Sequence, residues 1–400
     1  MKQKTLVSSV TAALLAVSPF VLADDMSDMK AQIEQLQKRI NTLESTGSSG
    51  AIITAPKPKY GLTLKGHVNR AVMYADDGVD SDTFFVDNDN SSSRLNIDGK
   101  AAVSDDVTVG VAWELEYQSN ASNTVVMNQT ASNSSETFFK ERKIELYFDS
   151  KTLGRLWLGQ GDMASNTTTE QDLSGTSIAG YSLLNGLGGA LSFRDSDAVN
   201  NPNVATITQV TTNFDGLSRD DRVRYDTPSL GGLMLSASAT TGGAWDAAAY
   251  LARSFGPVKV AAAGFYADPQ DLKTYESRYG GSASFLYEPI GISLTLAYGQ
   301  ESYDLSKSTR DDEATSYYGK LGYQFKGSDV GKTAIALSYG ITEDYNKVDD
   351  ELSSWGLGLV QNIDKAATEV FFQYQGFSLD RTGTNVEDIF AIMGGARVKF

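Results

Sequence analysis

The sequence predicts an all-β fold, a 16-stranded antiparallel transmembrane β-barrel preceded by a short α-helical coiled coil. Three observations carry this. Apolar residues recur at every second position in segment after segment, the period of a half-buried strand. The opposite face of those segments holds Lys, Arg, Glu and Asp, which need water or partners. Short turns alternate with mostly longer polar connections along the chain. The chain has 400 residues, no cysteine, 37 Gly, 19 Tyr and 17 Phe. Its formal net charge is −16, which argues against nucleic acid as a partner. Mean hydropathy is −0.26, and no run reaches the roughly 18 apolar residues of a membrane helix. A transmembrane barrel keeps a polar interior, so its average hydropathy stays low.

Residues 1–23 read as a signal peptide. Met1-Lys-Gln-Lys is a short basic region, Leu6 to Leu22 is apolar, and Val21-Leu22-Ala23 closes it with small residues at a cleavage site. Residues 24–44 read as a helix. Met26, Met29, Ile33, Leu36, Ile40 and Leu43 alternate spacings of three and four, the seam of a coiled coil. Ile and Leu in that seam lean towards two strands. A single amphipathic helix is the other reading, because about 20 residues is short for independent stability. Residues 45–59 read as a linker, flexible at Ser45-Thr-Gly-Ser-Ser-Gly and stiffened by Ala55-Pro-Lys-Pro.

From Tyr60 to Phe400 the alternation is continuous. Leu62, Leu64, Val68 and Val72 oppose Thr63, Lys65, His67 and Asn69. Leu95, Ile97 and Gly99 oppose Arg94, Asn96, Asp98 and Lys100. Val107 to Tyr117 sets Val, Trp, Leu and Tyr against Thr108, Gly110, Ala112, Glu114 and Glu116. The same arrangement recurs in Arg278–Tyr287 and Ile292–Tyr298. Residues 245–255 cannot be phased this way. The greasy face therefore points outwards and the wet face inwards, the inverse of a soluble barrel.

Turn-forming residues mark Ser104-Asp-Asp, Lys151-Thr-Leu-Gly, Pro228-Ser-Leu-Gly-Gly, Gly256-Pro, Glu288-Pro-Ile-Gly, Lys326 to Gly331 and Asn362-Ile-Asp-Lys. Longer connections fall near 75–92, 120–136, 164–219, 268–273, 303–314 and 380–386. Seven short turns with eight hairpins require 16 strands. The segments Ala190–Arg194 and Val204–Thr212 also alternate, so an extra hairpin giving 18 strands is the alternative. The last segment, Val386 to Phe400, presents Phe390, Ile392, Val398 and Phe400 on one face and Arg397 and Lys399 on the other.

On these features the chain, over residues about 60–400, resembles the trimeric porins of the general bacterial type. Arg219-Asp-Asp-Arg-Val-Arg-Tyr-Asp-Thr-Pro-Ser-Leu-Gly-Gly is similar to the family's strand and turn after the constriction loop. Gly154-Arg-Leu-Trp-Leu-Gly-Gln resembles the strand before it, and Phe400 resembles the family's C-terminal assembly signal. The resemblance implies a homotrimer in the Gram-negative outer membrane. Lipid and lipopolysaccharide surround it there, and small hydrophilic solutes diffuse passively through each barrel. The coiled coil departs from the plain porins, resembles the extension of some substrate-selective ones, and is expected in the periplasm. There it would reinforce the trimer, whose symmetry overrides the seam's two-strand preference. A channel selective for anions of the phosphate or dicarboxylate type, and a structural tether with a plugged barrel, are the competing readings.

The resemblance also implies that the loop at about 164–219 folds inwards to form a constriction. Its carboxylates there are Glu170, Asp172, Asp195 and Asp197, and the wall cations that alternation turns inwards are Lys65, Arg94, Lys100, Arg222 and Arg224. Carboxylates facing guanidinium groups would set a transverse field across the pore. The alternative is that these charges merely solvate a wide lumen. His67, the single histidine, offers no basis for a catalytic triad, so an enzyme is not expected, nor is a cofactor or resident metal. The acidic runs at Asp76–Asp82 and Asp87–Asn90 lack the register of a calcium loop. Weak divalent binding that bridges lipopolysaccharide is a hypothesis for them.

Overall fold

Backbone groups in a bilayer have no water to bond, so strands that cross it must close on themselves. The computed structural model describes residues 51–54, 60–130, 140–270, 273–303 and 312–400. The expected signal peptide, the helix with Met26, Met29, Ile33, Leu36, Ile40 and Leu43, and most of the linker lie outside these residues. Strand β1 (Ala51–Thr54) is followed by β2 (Tyr60–Asp76), β3 (Ser81–Asp87), β4 (Ser93–Ala102), β5 (Val107–Tyr117), β6 (Lys140–Ser150) and β7 (Gly154–Asp162). A long loop carries the small strands β8 (Ser192–Arg194) and β9 (Asn203–Thr206) and a one-turn helix, α1 (Ile207–Val210). The wall resumes with β10 (Arg219–Asp226), β11 (Leu233–Thr240), β12 (Trp245–Phe255), β13 (Val258–Asp268), β14 (Ser277–Tyr287) and β15 (Ile292–Ser302). It ends with β16 (Glu313–Ser328), β17 (Gly331–Glu343), β18 (Glu351–Ile363), β19 (Thr368–Asp380) and β20 (Ile389–Lys399).

Each wall strand pairs antiparallel with its neighbours, and β2 pairs with β20 to close the ring. β3 and β4 both pair with β2 and act as one interrupted strand. With it, β2, β5 to β7 and β10 to β20 make a closed barrel of 16 strands. The extra hairpin does form, but β8 and β9 make a separate two-stranded sheet inside the loop, so they add nothing to the wall. A second correction concerns the connection expected near 75–92. Most of it is strand β3, because Thr83-Phe-Phe-Val pairs with β2 once Asp77 caps the preceding turn through Val79 N and Asp80 N. The chain leaves the wall only at 88–92, where a 3-10 turn at Asp89–Ser91 bends inwards.

The seam depends on one glycine. Gly66 N donates to Phe400 O at 2.9 Å, and Phe400 N to Gly66 O at 3.0 Å. A Cβ at Gly66 would meet Arg94 O at 2.5 Å and the Phe400 ring at 2.7 Å. Beyond Phe400, β1 continues the same edge of β2, from Ala51 opposite Leu64 to Thr54 opposite Gly61. The closing strand is therefore held along its length, with Val398 and Phe400 exposed outside and Lys399 and Arg397 inside against Glu369.

The outer surface is apolar and belted. Tyr279, Tyr298 and Tyr317 lie side by side, as do Trp355, Tyr374, Phe390 and Tyr74, with neighbouring ring centroids 4.6–6.4 Å apart. Tyr287 ends the strand that carries Tyr279, eight residues away. At a tilt of about 40° those residues span roughly 21 Å of height, close to the ~25 Å apolar band of an outer-membrane barrel. Phasing of 245–255 becomes clear here. Trp245 points out, while Asp246, Ala248 and Tyr250 point in; alanine on both faces erased the pattern in sequence.

Leu296, exposed at mid-strand on the outer face, gives a test of this orientation. Leu296→Arg is expected to cost about 2–4 kcal/mol in reversible unfolding from liposomes, as cations do at the bilayer midplane. Thr63→Arg, on the lumen face opposite Asp98, should cost far less.

Candidate functional site

The loop from Met163 to Ser218 follows the fifth wall strand and folds into the lumen. Hydroxyls on the inner wall anchor it step by step. Ala164 N donates to Ser238 Oγ at 2.8 Å, Gln171 N to Ser282 Oγ at 2.9 Å and Leu173 N to Ser284 Oγ at 2.9 Å. Lys320 on β16 donates to Asp172 and to Gly180 O, both at 2.7 Å, and the pair is almost fully buried. Burial pushes the Asp172 carboxyl up, but Lys320 and Ser174 outweigh it and hold it below its ordinary range. Further on, Leu184, Leu187, Leu191, Phe193, Ile207 and Val210 pack on Met73, Phe377, Leu379 and Met393 of the inner wall. That cluster is the main hydrophobic core of the described residues, and it sits inside the barrel. The loop thus covers the inner wall from β11 round to β2 and leaves the β4–β7 and β10 side open.

A cavity of about 740 Å³ lies between that open wall and the loop. On the wall, Arg142 donates from Nε to Glu114 at 2.6 Å and from an Nη to Glu116 at 2.5 Å. Ser92 Oγ donates to Glu116 at 2.6 Å, and Arg94 Nε to Ser92 Oγ at 3.2 Å. Lys143 and Arg219 both pair with Asp162. Opposite them the loop presents Glu170 and Asp215. Asp215 accepts from Thr167 N at 2.6 Å, Thr169 N at 2.9 Å and Thr169 Oγ1 at 3.1 Å. Glu170 accepts one bond, from Asn213 Nδ2 at 3.0 Å. Burial, and then the Asp215 charge, push Glu170 up to about 8; Asn213, Arg219 and Arg142 pull it down less. Burial raises Asp215 as well, but the donors from Thr167, Thr168 and Thr169 oppose that rise, whereas Glu170 has a single such donor.

Of the residues singled out from sequence, Arg94 and Glu170 line this cavity. Lys65 pairs with Asp98 at 2.6 Å and Lys100 is exposed, both on the half of the lumen nearer the short turns. Arg222 is buried against Glu145. Arg224 bonds Asp226 and the carbonyls of Asp162 and Met163, pinning the root of the loop. Asp172 is spent on Lys320. Asp195 and Asp197 lie on the β8–β9 turn beside Asn385, at the long-loop rim. The acidic run near Asp77 is engaged as well, with Arg194 at 2.7 Å from Asp77 and 3.6 Å from Asp80. Among the described residues no group of three or more acidic or histidine side chains could hold a metal. His67 bonds the Ser92 carbonyl at 2.7 Å.

Sequence reasoning missed Arg142, Lys143, Asp162, Arg219 and Asp215. Lys140-Glu-Arg-Lys breaks the alternation because a bulge opposite Glu114 and Leu115 inserts Arg142, turning both Arg142 and Lys143 inwards. That run of four charges was the available signal. Asp215 had none, since its position depends on the return path of the loop.

A family model described as Gram-negative porin matches residues 10–382. Comparison with curated protein sequences finds no significant match. Among solved structures, the anion-selective porin from Comamonas acidovorans is similar at 17% identity and a TM-score of 0.58, covering 86% of this chain and all of that one. OmpT of Vibrio cholerae in its trimer form is 14% identical with a TM-score of 0.54, covering 86% and 100%. The outer membrane channel DcaP of Acinetobacter baumannii is 14% identical with a TM-score of 0.55, covering 87% and 99%. At such identities these likenesses concern the fold, whereas the family match spans nearly the whole chain. The closed barrel, its outward apolar belt and the loop-narrowed lumen agree with that match: the chain belongs to the Gram-negative porins, outer-membrane channels for passive diffusion.

Proposed function

We propose that the cavity between the β4–β7 wall and the inward loop is the selectivity-setting constriction of a channel for small hydrophilic solutes, with little preference between anions and cations. The observation that carries this is the facing of Arg142, Arg94, Lys143 and Arg219 by Glu170 and Asp215 across the cavity. Charges of opposite sign on opposing walls orient water and polar solutes, and they disfavour apolar ones. The cavity is lined by five cations (Arg94, Lys140, Arg142, Lys143, Arg219) and six carboxylates (Asp89, Glu114, Glu116, Asp162, Glu170, Asp215). With Glu170 neutral the two signs balance. A dedicated phosphate or dicarboxylate channel would need unpaired cations there, yet Arg142, Lys143 and Arg219 are each bound to wall carboxylates. An open cavity of this size also speaks against a plugged tether.

The trimer form of the similar Vibrio cholerae protein supports a homotrimer. The long loops would then face outwards and the short turns the periplasm, with Phe400 and any N-terminal helix on the periplasmic side. Phe400, at the end of the seam strand, is proposed to act as the assembly signal.

Arg142→Ala frees Glu114 and Glu116, so planar-bilayer reversal potentials in a salt gradient should move towards cation selectivity. Arg222→Ala should leave the reversal potential unchanged. Breaking its buried pair with Glu145 should instead lower stability by about 3–5 kcal/mol. An unmoved potential in the first variant, or a shifted one in the second, removes the assignment.

pH gives a separate test. Glu170 is protonated below about 8 and anionic above it, so cation preference should rise between pH 7 and pH 9.5. Glu170→Gln should abolish that step; if the step survives, another group is responsible.

A further inference from the structure

On β11 to β20 the charges that share the outward face are sorted by sign and by rim. Asp268, Glu313, Glu343, Glu351 and Asp380 face outwards, all at strand ends next to the long loops. Outside the turn at Lys326 to Gly331, Arg253 is the one outward cation of the described residues on these strands. It lies two residues from the short-turn end of β12 and is exposed. Its guanidinium sits 5.1 Å from the centre of the Phe255 ring, and one Nη donates to Gly231 O at 3.3 Å. No carboxylate of the described residues pairs with it. A guanidinium steadied by a ring and one carbonyl, with its other donors open to the membrane surface, matches a phosphate.

The wall beside Arg253 is hollow. Leu235, Ala237, Ala247, Ala249 and Gly264 line an apolar groove of about 570 Å³ on the outer surface. Tyr225 and Tyr266 close its far end, since the cross-strand partners there run Tyr225, Ala237, Ala247 and Tyr266. At ~4.8 Å per strand the two tyrosines stand about 14 Å apart. Ala262, opposite Leu251, carries the low floor from Gly264 back to the level next to Arg253. Six residues separate Arg253 from Ala247 along β12. That is roughly 16 Å of height at ~3.4 Å per residue and a tilt of about 40°, close to the ~15 Å of hydrocarbon in one leaflet. An apolar hollow that opens on a membrane gains contacts only from a chain lying in it.

We propose that the β11–β13 wall binds one glycerophospholipid per copy, its phosphate on Arg253 and one acyl chain in the groove. The short turns face the periplasmic leaflet in the orientation proposed above, so the occupant is a phospholipid and not lipopolysaccharide. The outward carboxylates at the opposite rim would repel the same phosphate. The site lies outside the lumen, so its failure and that of the channel reading are separate results.

The test uses the full-length protein in mild detergent, supplied with phosphatidylglycerol or with lipopolysaccharide, and counts the lipids retained in native mass spectra. The unaltered protein should keep one phosphatidylglycerol per copy. Arg253→Gln should lower that retention several-fold, and Ala249→Leu, which fills the groove but spares the arginine, should lower it as well. Lys365→Gln, at another short turn, should leave it unchanged. Heat-modifiable mobility reports that each barrel still folds. Equal retention with and without Arg253, or equal loss from Lys365→Gln, overturns the site. Loss from Arg253→Gln alone overturns the groove, and lipopolysaccharide held in place of phosphatidylglycerol overturns the choice of lipid. In the native membrane, photo-reactive benzoylphenylalanine in place of Leu251 should couple to lipid. A covalent dimer instead would give this wall to a second copy of the chain and overturn the proposal.

Discussion

The β2–β20 ladder is the interaction on which the rest of this molecule depends. In a membrane an open sheet edge costs several kcal/mol for every unmet backbone group. Here the edge of β2 is consumed by β20 as far as Gly66, and then by β1 below Phe400. Gly66 makes this possible by admitting the Phe400 ring where any side chain would collide. Once the ring is closed, inward and outward faces are fixed for every strand, because a slip of one residue anywhere would exchange them.

Closure creates an interior that is too wide for wall side chains to fill. The loop after β7 solves that problem in two ways. Along β11 to β16 it is tied by serine hydroxyls and the Lys320–Asp172 pair, bonds that tolerate a wet lumen. Near β2 and β18 to β20 it packs apolar side chains on Met73, Phe377 and Met393 instead. Near β2 and β18 to β20 the barrel therefore carries apolar side chains on its inner face as well as its outer one where the loop packs, whereas the β4–β7 wall presents charges to the cavity. That asymmetry gives the pore a direction across its width as well as along its length.

Charge in the lumen is mostly paired. Arg142 with Glu114 and Glu116, and Lys143 and Arg219 with Asp162, are held in place on the wall, so their positions are set before any solute arrives. Fixed dipoles of this kind act on a passing solute without the reorganisation cost of mobile side chains. Glu170 differs, since its neighbour Asp215 takes more of the donors, while burial and the Asp215 charge push Glu170 up to about 8.

The sequence alone determined the class of fold and, outside residues 245–255 and the bulge at Arg142, the direction that wall residues face, because strand alternation has a strictly local period of two; that the wall has 16 strands rather than 18 was decided by β8 and β9 pairing apart from it. Gly256-Pro and Lys151-Thr-Leu-Gly likewise marked their turns locally. What alternation cannot carry is height. Lys65, Lys100 and Arg94 share one inward parity, yet only Arg94 reaches the cavity, since tilt and stagger decide the level. Arg222 and Arg224 face inwards too, but Glu145, Asp226 and the loop root claim them. The bulge at Arg142 and the return path that brings Asp215 beside Glu170 belong to the tertiary structure, for they arise from contacts between segments far apart in the chain.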